Sequence, residues 1–219
     1  MIRTIKEVNE LAESQYTEHV NEFNKRKIVM DVSAKEFSDI FKTVAETFFL
    51  KHGTKREFIY NADNKKVIEQ LYYYFTNNDK FNGKQSKGIL IAGKNGVGKT
   101  VILKSFFEII KMLNIRVVRG YHSKELAAKL VDKEVLIDNL KRPLFIDDLG
   151  KESLEANNFG TKIQPIADLI SLRYDLGSMT FATTNYNFET LTKFYGITTT
   201  DRFKEMFNIM ELGGESFRK

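Results

Sequence analysis

The stretch Gly88-Ile89-Leu90-Ile91-Ala92-Gly93-Lys94-Asn95-Gly96-Val97-Gly98-Lys99-Thr100 runs from an apolar segment straight into a glycine-rich turn. Residues 93–100 fit the phosphate-loop pattern of a glycine, four further residues, then Gly-Lys-Thr. Successive backbone N–H groups must turn inward on a polyphosphate, and side chains at Gly93, Gly96 and Gly98 would obstruct that approach. Lys94, Asn95 and Val97 fill the loop between them. Lys99 is then expected on the β- and γ-phosphates, and the Thr100 hydroxyl on Mg²⁺. A plain strand-to-helix turn with a surface lysine is the competing reading. The apolar strand before the loop and the helical pattern after it favour a nucleoside triphosphate site.

A chain of 219 residues accommodates one α/β domain and a small appendage. Its 42% apolar content suffices for a core, and a 29% charged content is ordinary for a soluble protein. The net charge of +5 is compatible with a polyanionic partner without requiring one. Cysteine is absent, which excludes disulfides and thiolate metal sites and suits a reducing compartment. The first residues, MIRTIKEVNELAESQ, lack the apolar core of a signal peptide, and no run is long enough to span a bilayer. A cytoplasmic protein with no membrane association is expected.

Two amphipathic patterns precede the loop. Ile5, Val8, Leu11, Ala12, His19, Val20 and Phe23 recur at helical spacing ahead of the basic Lys25-Arg26-Lys27. Ser33 and Glu36 form a capping box for a second helix carrying Phe37, Ile40, Phe41, Val44, Ala45, Phe48 and Phe49, with Gly53 as its stop. A stripe so rich in Phe either packs on its own domain or docks another protein. The spacing then predicts a helix over 64–75, a strand at 88–92 and a helix near 99–113. A strand over 116–119 and helices over 123–130 and 132–140 follow, then a strand at 144–147 and a helix near 162–175. The last elements are a strand at 180–184, a helix near 188–195, a segment near 200–206 and a strand near 207–212. Strands alternating with helices predict a parallel sheet wrapped in helices.

Pro143-Leu144-Phe145-Ile146-Asp147-Asp148-Leu149-Gly150 is an apolar strand ending in two acids, at the sheet edge where α/β folds bind ligands. Asp147 is expected to hold Mg²⁺ and Asp148 to orient or deprotonate the attacking water; a turn or helix cap is the alternative use of such a pair. Thr180-Phe181-Ala182-Thr183-Thr184-Asn185 ends in an asparagine suited to the γ-phosphate or the lytic water. Arg202, in Thr198-Thr199-Thr200-Asp201-Arg202-Phe203, has the rigid cationic fork to serve a neighbouring subunit's γ-phosphate, or else pairs with an acid of its own chain.

With these residues in place, 55–219 resembles the AAA+ ATPases, and within them the DnaC/DnaI helicase-loader and IstB group. The resemblance rests on AGKNGVGKT as Walker A, LFIDDLG as Walker B, FATTN as sensor 1, and the tail YGITTTDRFKEMFNIMELGGESFR. It implies a P-loop parallel sheet flanked by helices, with a helical partner-binding region at 1–53 and the ATPase domain at 54–219. It further implies that Arg202 is an arginine finger, that Arg218 is a sensor 2 arginine on the nucleotide, and that Arg173 matches an arginine common in the helix before sensor 1.

Three features depart from the wider pattern. Asp148 stands where many AAA+ proteins have Glu, which implies slow turnover; little chain follows the last strand, which implies a reduced or absent lid; and no zinc-binding dock is encoded. The resemblance also places single-stranded DNA on the insertion 121–140, with Lys124, Lys129, Lys133 and Lys141 as phosphate contacts or simply a solvated face.

The implied function is an ATP-hydrolysing, homo-oligomeric loader that delivers a replicative DNA helicase to single-stranded DNA. An IstB-like transposition helper working on duplex DNA with a transposase is the alternative. A nucleotide-gated adaptor without turnover is the third reading, and the set Lys99, Asp147, Asp148, Asn185 and Arg202 argues against it.

Overall fold

The computed structural model describes residues 3–158 and 161–217. Three helices lead in: α1 (Ile5–Arg26), α2 (Ala34–Lys51) and α3 (Ala62–Phe75). The alternating part follows as β1 (Gly88–Ala92), α4 (Lys99–Met112), β2 (Arg119–His122), α5 (Ser123–Lys129), α6 (Lys133–Asp138) and β3 (Leu144–Leu149). Then come β4 (Ala156–Asn158), β5 (Thr161–Ile163), α7 (Pro165–Asp175), β6 (Thr180–Thr184), α8 (Phe188–Met206) and β7 (Phe207–Glu211). Five strands form one sheet in the order β2-β3-β6-β1-β7, and every pairing in it is parallel.

Period-2 alternation divides the core between the two sheet faces. Ile89, Ile91, Phe145 and Phe181 face α2, α3 and α4, whereas Leu90, Leu144, Ile146 and Ala182 face α5, α7 and α8. Phe106 of α4 is the hub of the first face: its ring lies 4.9 Å from Phe37, 5.4 Å from Phe41 and 5.3 Å from Phe75. Each such aromatic pair adds about 0.5–1.5 kcal/mol beyond area burial.

The Phe-rich stripe of α2 therefore packs on its own protein, in one core with α3 and α4. Ser33 and Glu36 make the expected capping box. Helix α1 differs. It has its own capping box, Thr4 with Glu7, yet Ile5 and Tyr16 are 82% and 73% exposed, and Val8, Leu11 and Val20 also face solvent. Its C-terminal end is tied to the body where Arg26 Nη1 donates to the carbonyls of Leu176 and Gly177, and Arg116 Nη2 donates to that of Lys25.

Several boundaries differ from the sequence expectation. Pairing with β3 places β2 at Arg119–His122, beyond the β-branched Val117 and Val118, and lifts His122 to the ligand-binding edge. Pro165 opens α7, while 161–163 pair antiparallel with 156–158 in a small hairpin. Helix α8 runs through both expected segments and breaks at Gly196, whose φ of 81° is a left-handed value. Asn61 caps α3, so that helix begins before residue 64. Asp132 caps α6, which ends at Asp138. Among the described residues no helix follows β7.

Candidate nucleotide-binding and hydrolysis site

The loop between β1 and α4 crosses the C-terminal edge of the sheet beside β6 and β3, where ligands of open α/β sheets bind. Gly98 caps α4 at φ 101°, a conformation that L side chains rarely adopt. Lys99, the first residue of the helix, is buried. Its ammonium donates to the carbonyls of Gly93 and Lys94, each at 2.8 Å, and to Asn185 Oδ1 at 2.7 Å. All three contacts hold the charge over the loop that Gly93–Thr100 form.

The two acids owe their placement to an irregularity in β3. Ile146 pairs with Ala182 and Leu149 with Thr184, so Asp147 and Asp148 together stand opposite Thr183. The extra residue is a bulge, and Asp148 absorbs it at φ 58°. Thr183 holds both acids. Its hydroxyl donates to Asp147 Oδ1 at 2.6 Å and accepts the Asp148 backbone N–H at 2.9 Å. Thr100 Oγ1 donates to the same Asp147 oxygen at 2.7 Å, joining the phosphate loop to the acidic strand, and Lys104 Nζ lies 3.8 Å from Asp147 Oδ2.

Asp148 points into a more polar setting. Asn185 Nδ2 donates to its Oδ1 at 2.8 Å, and Lys151 Nζ donates to its Oδ2 at 2.8 Å, with His122 Nε2 at 3.6 Å from that oxygen. Burial pushes the Asp148 carboxyl up, but the hydrogen bonds from Lys151 and Asn185, with the charges of Lys151 and His122, outweigh it. The net effect holds Asp148 below the usual carboxylate range, so it is ionised at neutral pH.

Lys99, Thr100, Asp147, Asp148 and Asn185 thus line one cavity with His122. Next to it lies a more apolar compartment lined by Phe49, Phe58, Ile59, Val97, Ile102 and Phe217. Phe217 and Gly96 border both spaces, and the Phe217 N–H donates to the Gly96 carbonyl at 3.0 Å. The Arg56 guanidinium sits 4.0 Å over the Phe49 ring and donates to the Phe217 carbonyl at 3.2 Å. The pair of spaces suits a ligand with a polyanionic end and a flat apolar end.

Arg202 lies elsewhere. Its Nη1 donates to Ser171 Oγ and its guanidinium stacks 5.5 Å over Tyr174, so α7 holds it away from this chain's own cavity. Arg218 lies outside the described residues. Arg173 is fully buried and purely internal: it donates to the carbonyls of Asn139, Leu140, Arg142 and Met179 and to Thr180 Oγ1. Burial pulls its guanidinium down to about 9, still charged at neutral pH. On the insertion, Lys129 pairs with Glu125 at 2.7 Å, while Lys124 and Lys133 are exposed.

Sequence reasoning missed Thr183, His122, Lys151 and a buried brace, Glu152 with Tyr195. The Tyr195 hydroxyl donates to Glu152 Oε1, and Glu152 Oε2 accepts the Gly150 N–H at 2.9 Å, tying the turn after β3 to α8 beside its break. Only the acid two residues after Gly150 and the Tyr-Gly pair of the tail signalled that link in the sequence.

No family model and no curated protein matches the sequence. Solved structures do match in shape. The DnaC helicase loader aligns at a TM-score of 0.56 and 23% identity, over 71% of this chain and 93% of its own. DnaI aligns at 0.56 and 20% identity, over 74% of this chain and 87% of its own. The replication initiator DnaA bound to AMPPCP and single-stranded DNA aligns at 0.54 and 17% identity, over 72% of this chain and 49% of its own. The five-stranded parallel sheet, its flanking helices and these likenesses show that the chain has the AAA+ P-loop fold.

Proposed function

We propose that the protein binds and hydrolyses ATP and uses that reaction to load a replicative DNA helicase onto single-stranded DNA. One observation supports the chemistry above the others: Asn185 bridges the Lys99 ammonium and the Asp148 carboxylate, which in this reading are the phosphate-binding lysine and the water-orienting acid. The apolar compartment beside Val97 would take the purine, and the loop 93–98 the phosphates. Water held by Asp148 and Asn185 attacks the γ-phosphorus as the bond from that phosphorus to the β–γ bridging oxygen breaks. ADP and phosphate leave, and the proton of the water passes through Asp148 to solvent.

Thr100 and Asp147 fit Mg²⁺, being hard oxygen donors 2.7 Å apart. Among the described residues no cluster of three or more His, Cys, Asp or Glu forms an all-protein metal cage, which suits an ion held partly by phosphate oxygens. When bound, Mg²⁺ would neutralise charge on the β- and γ-phosphates.

The loader role is supported by the shared fold with DnaC and DnaI, which this chain spans over most of their length. In this reading α1 is the helicase-capturing element of the 1–53 region, because its apolar residues are exposed while those of α2 are in the core. Arg202 serves the γ-phosphate of a neighbouring copy, so ATP governs a homo-oligomer on DNA. Single-stranded DNA binds along 121–140 through Lys124 and Lys133, with Lys141 at the edge. The setting is cytoplasmic; among the described residues no helix is long and apolar enough to cross a membrane.

Phosphate release and co-sedimentation with the replicative helicase of the source cell test both halves. Lys99→Ala is expected to abolish ATP binding, and Val8→Glu with Leu11→Glu to abolish helicase capture while sparing turnover. Retained tight ATP binding by the first variant, or undiminished capture by the second, contradicts the corresponding half.

A further inference from the structure

Lys151 occupies a place that neither the phosphate-loop pattern nor the acidic strand accounts for. Its Nζ is 2.8 Å from Asp148 Oδ2 and 3.4 Å from Asn95 Oδ1, and its side chain is 29% exposed. Asn95 belongs to the phosphate loop, and both Asn95 and Asp148 line the cavity. A cation spanning those two residues stands next to the part of the cavity where the acid meets the phosphate loop. Lys99 is linked to the same acid through Asn185.

The backbone that presents Lys151 is pinned. Its N–H donates to the Asp148 carbonyl at 3.1 Å, and the Glu152 carboxylate holds the Gly150 N–H. Glu152 is in turn braced by the Tyr195 hydroxyl. The ammonium itself is the movable part, on an unbranched stem with one loop amide within reach.

We propose that Lys151 is a catalytic cation for the γ-phosphoryl group of its own chain's ATP. Its ammonium exchanges the Asn95 amide oxygen for a γ-phosphate oxygen while keeping Asp148, and stabilises the charge that develops as the bond to the β–γ bridging oxygen breaks. The Lys151 contribution is made within one chain, and it multiplies the contribution that a neighbour's Arg202 supplies on assembly. This inference rests on the ATP-hydrolysis reading above.

The competing role for Lys151 is that of a restraint, a salt bridge that merely occupies Asp148. Three variants of the full chain separate the two: Lys151→Met keeps the stem, Lys151→Arg keeps the charge, and Lys99→Ala reports the background. The readouts are phosphate release across a range of protein concentrations, affinity for a non-hydrolysable ATP analogue, affinity for ADP with aluminium fluoride, and thermal unfolding. Lys151→Met is expected to lose about a hundredfold in kcat at every protein concentration, on the scale of removing one preorganised transition-state donor. Its affinity for the ATP analogue should stay within about threefold while that for ADP with aluminium fluoride falls, since only the latter reports the transition state. Lys151→Arg should recover part of both losses.

A wild-type or raised kcat in Lys151→Met, with turnover still dependent on Lys99, overturns this inference and leaves the ATPase reading intact. So do parallel losses in both affinities. Wild-type phosphate release no greater than that of Lys99→Ala at any concentration overturns the two together.

Discussion

Asn185 Oδ1 accepts a hydrogen bond from the Lys99 ammonium at 2.7 Å, which makes the tip of β6 a direct reporter of the phosphate-loop lysine. The same side chain donates to Asp148 at 2.8 Å. Asn185→Ala removes both contacts and leaves the loop backbone in place. ATP affinity should change little, and kcat should fall by about a hundredfold, as for loss of one oriented polar group at a reacting centre. Nucleotide titration alongside phosphate release checks the split; equal losses in both would reduce Asn185 to a structural role.

Thr183 secures two neighbours with one hydroxyl. Replacing it with Val keeps the β-branched shape but leaves the Asp148 N–H without its acceptor and takes one of two donors from Asp147 Oδ1, at a cost of about 1–3 kcal/mol. The expected result is a lowered midpoint in denaturant with unchanged slope, together with a higher Mg²⁺ requirement for turnover, because Asp147 loses one of its two positioning hydroxyls.

Arg173 ties the start of β6 to the chain preceding β3 from inside the core. A lysine there keeps the charge but cannot satisfy the spread of acceptors that the planar fork reaches. Arg173→Lys should destabilise the protein by about 3 kcal/mol or more, with no selective effect on catalysis in the folded fraction. Chemical denaturation provides the check, and unchanged stability would mean the acceptors find other donors.

Arg202 stands apart from its own cavity, so its effect should depend on assembly. Arg202→Ala should lower turnover without weakening ATP affinity, and mixing it with Asp148→Asn chains should restore part of the activity. In such a mixture an intact Asp148 site can receive an intact Arg202 from its neighbour. The absence of any recovery would argue that no site is shared between chains.

Much of this site was legible in the sequence because its pieces are local. The phosphate loop, the paired acids and the strand ending in Asn185 each sit at a strand tip, where an apolar run gives way to polar residues. β6 at Thr180–Thr184 matches its expected span. What escaped was set by pairing. β2 follows the register of β3, not the β propensity of Val117 and Val118, and so His122 reaches Asp148. The bulge that aims both acids at Thr183 arises only when β3 meets β6. The division of labour between α1 and α2 was equally hidden. Both read as amphipathic helices, and only tertiary packing shows that one is core and the other is exposed.

The central claim is that Asp148, fixed by the bulge and held ionised by Lys151 and Asn185, works on water beside a bound triphosphate. It is tested most directly by measuring ATP affinity and phosphate release on the same preparations of wild-type and Asp148→Asn protein with Mg²⁺. The account predicts ATP affinity within about threefold of wild type and a kcat lowered by about a hundredfold or more. An Asp148→Asn protein that releases phosphate at the wild-type rate would contradict it.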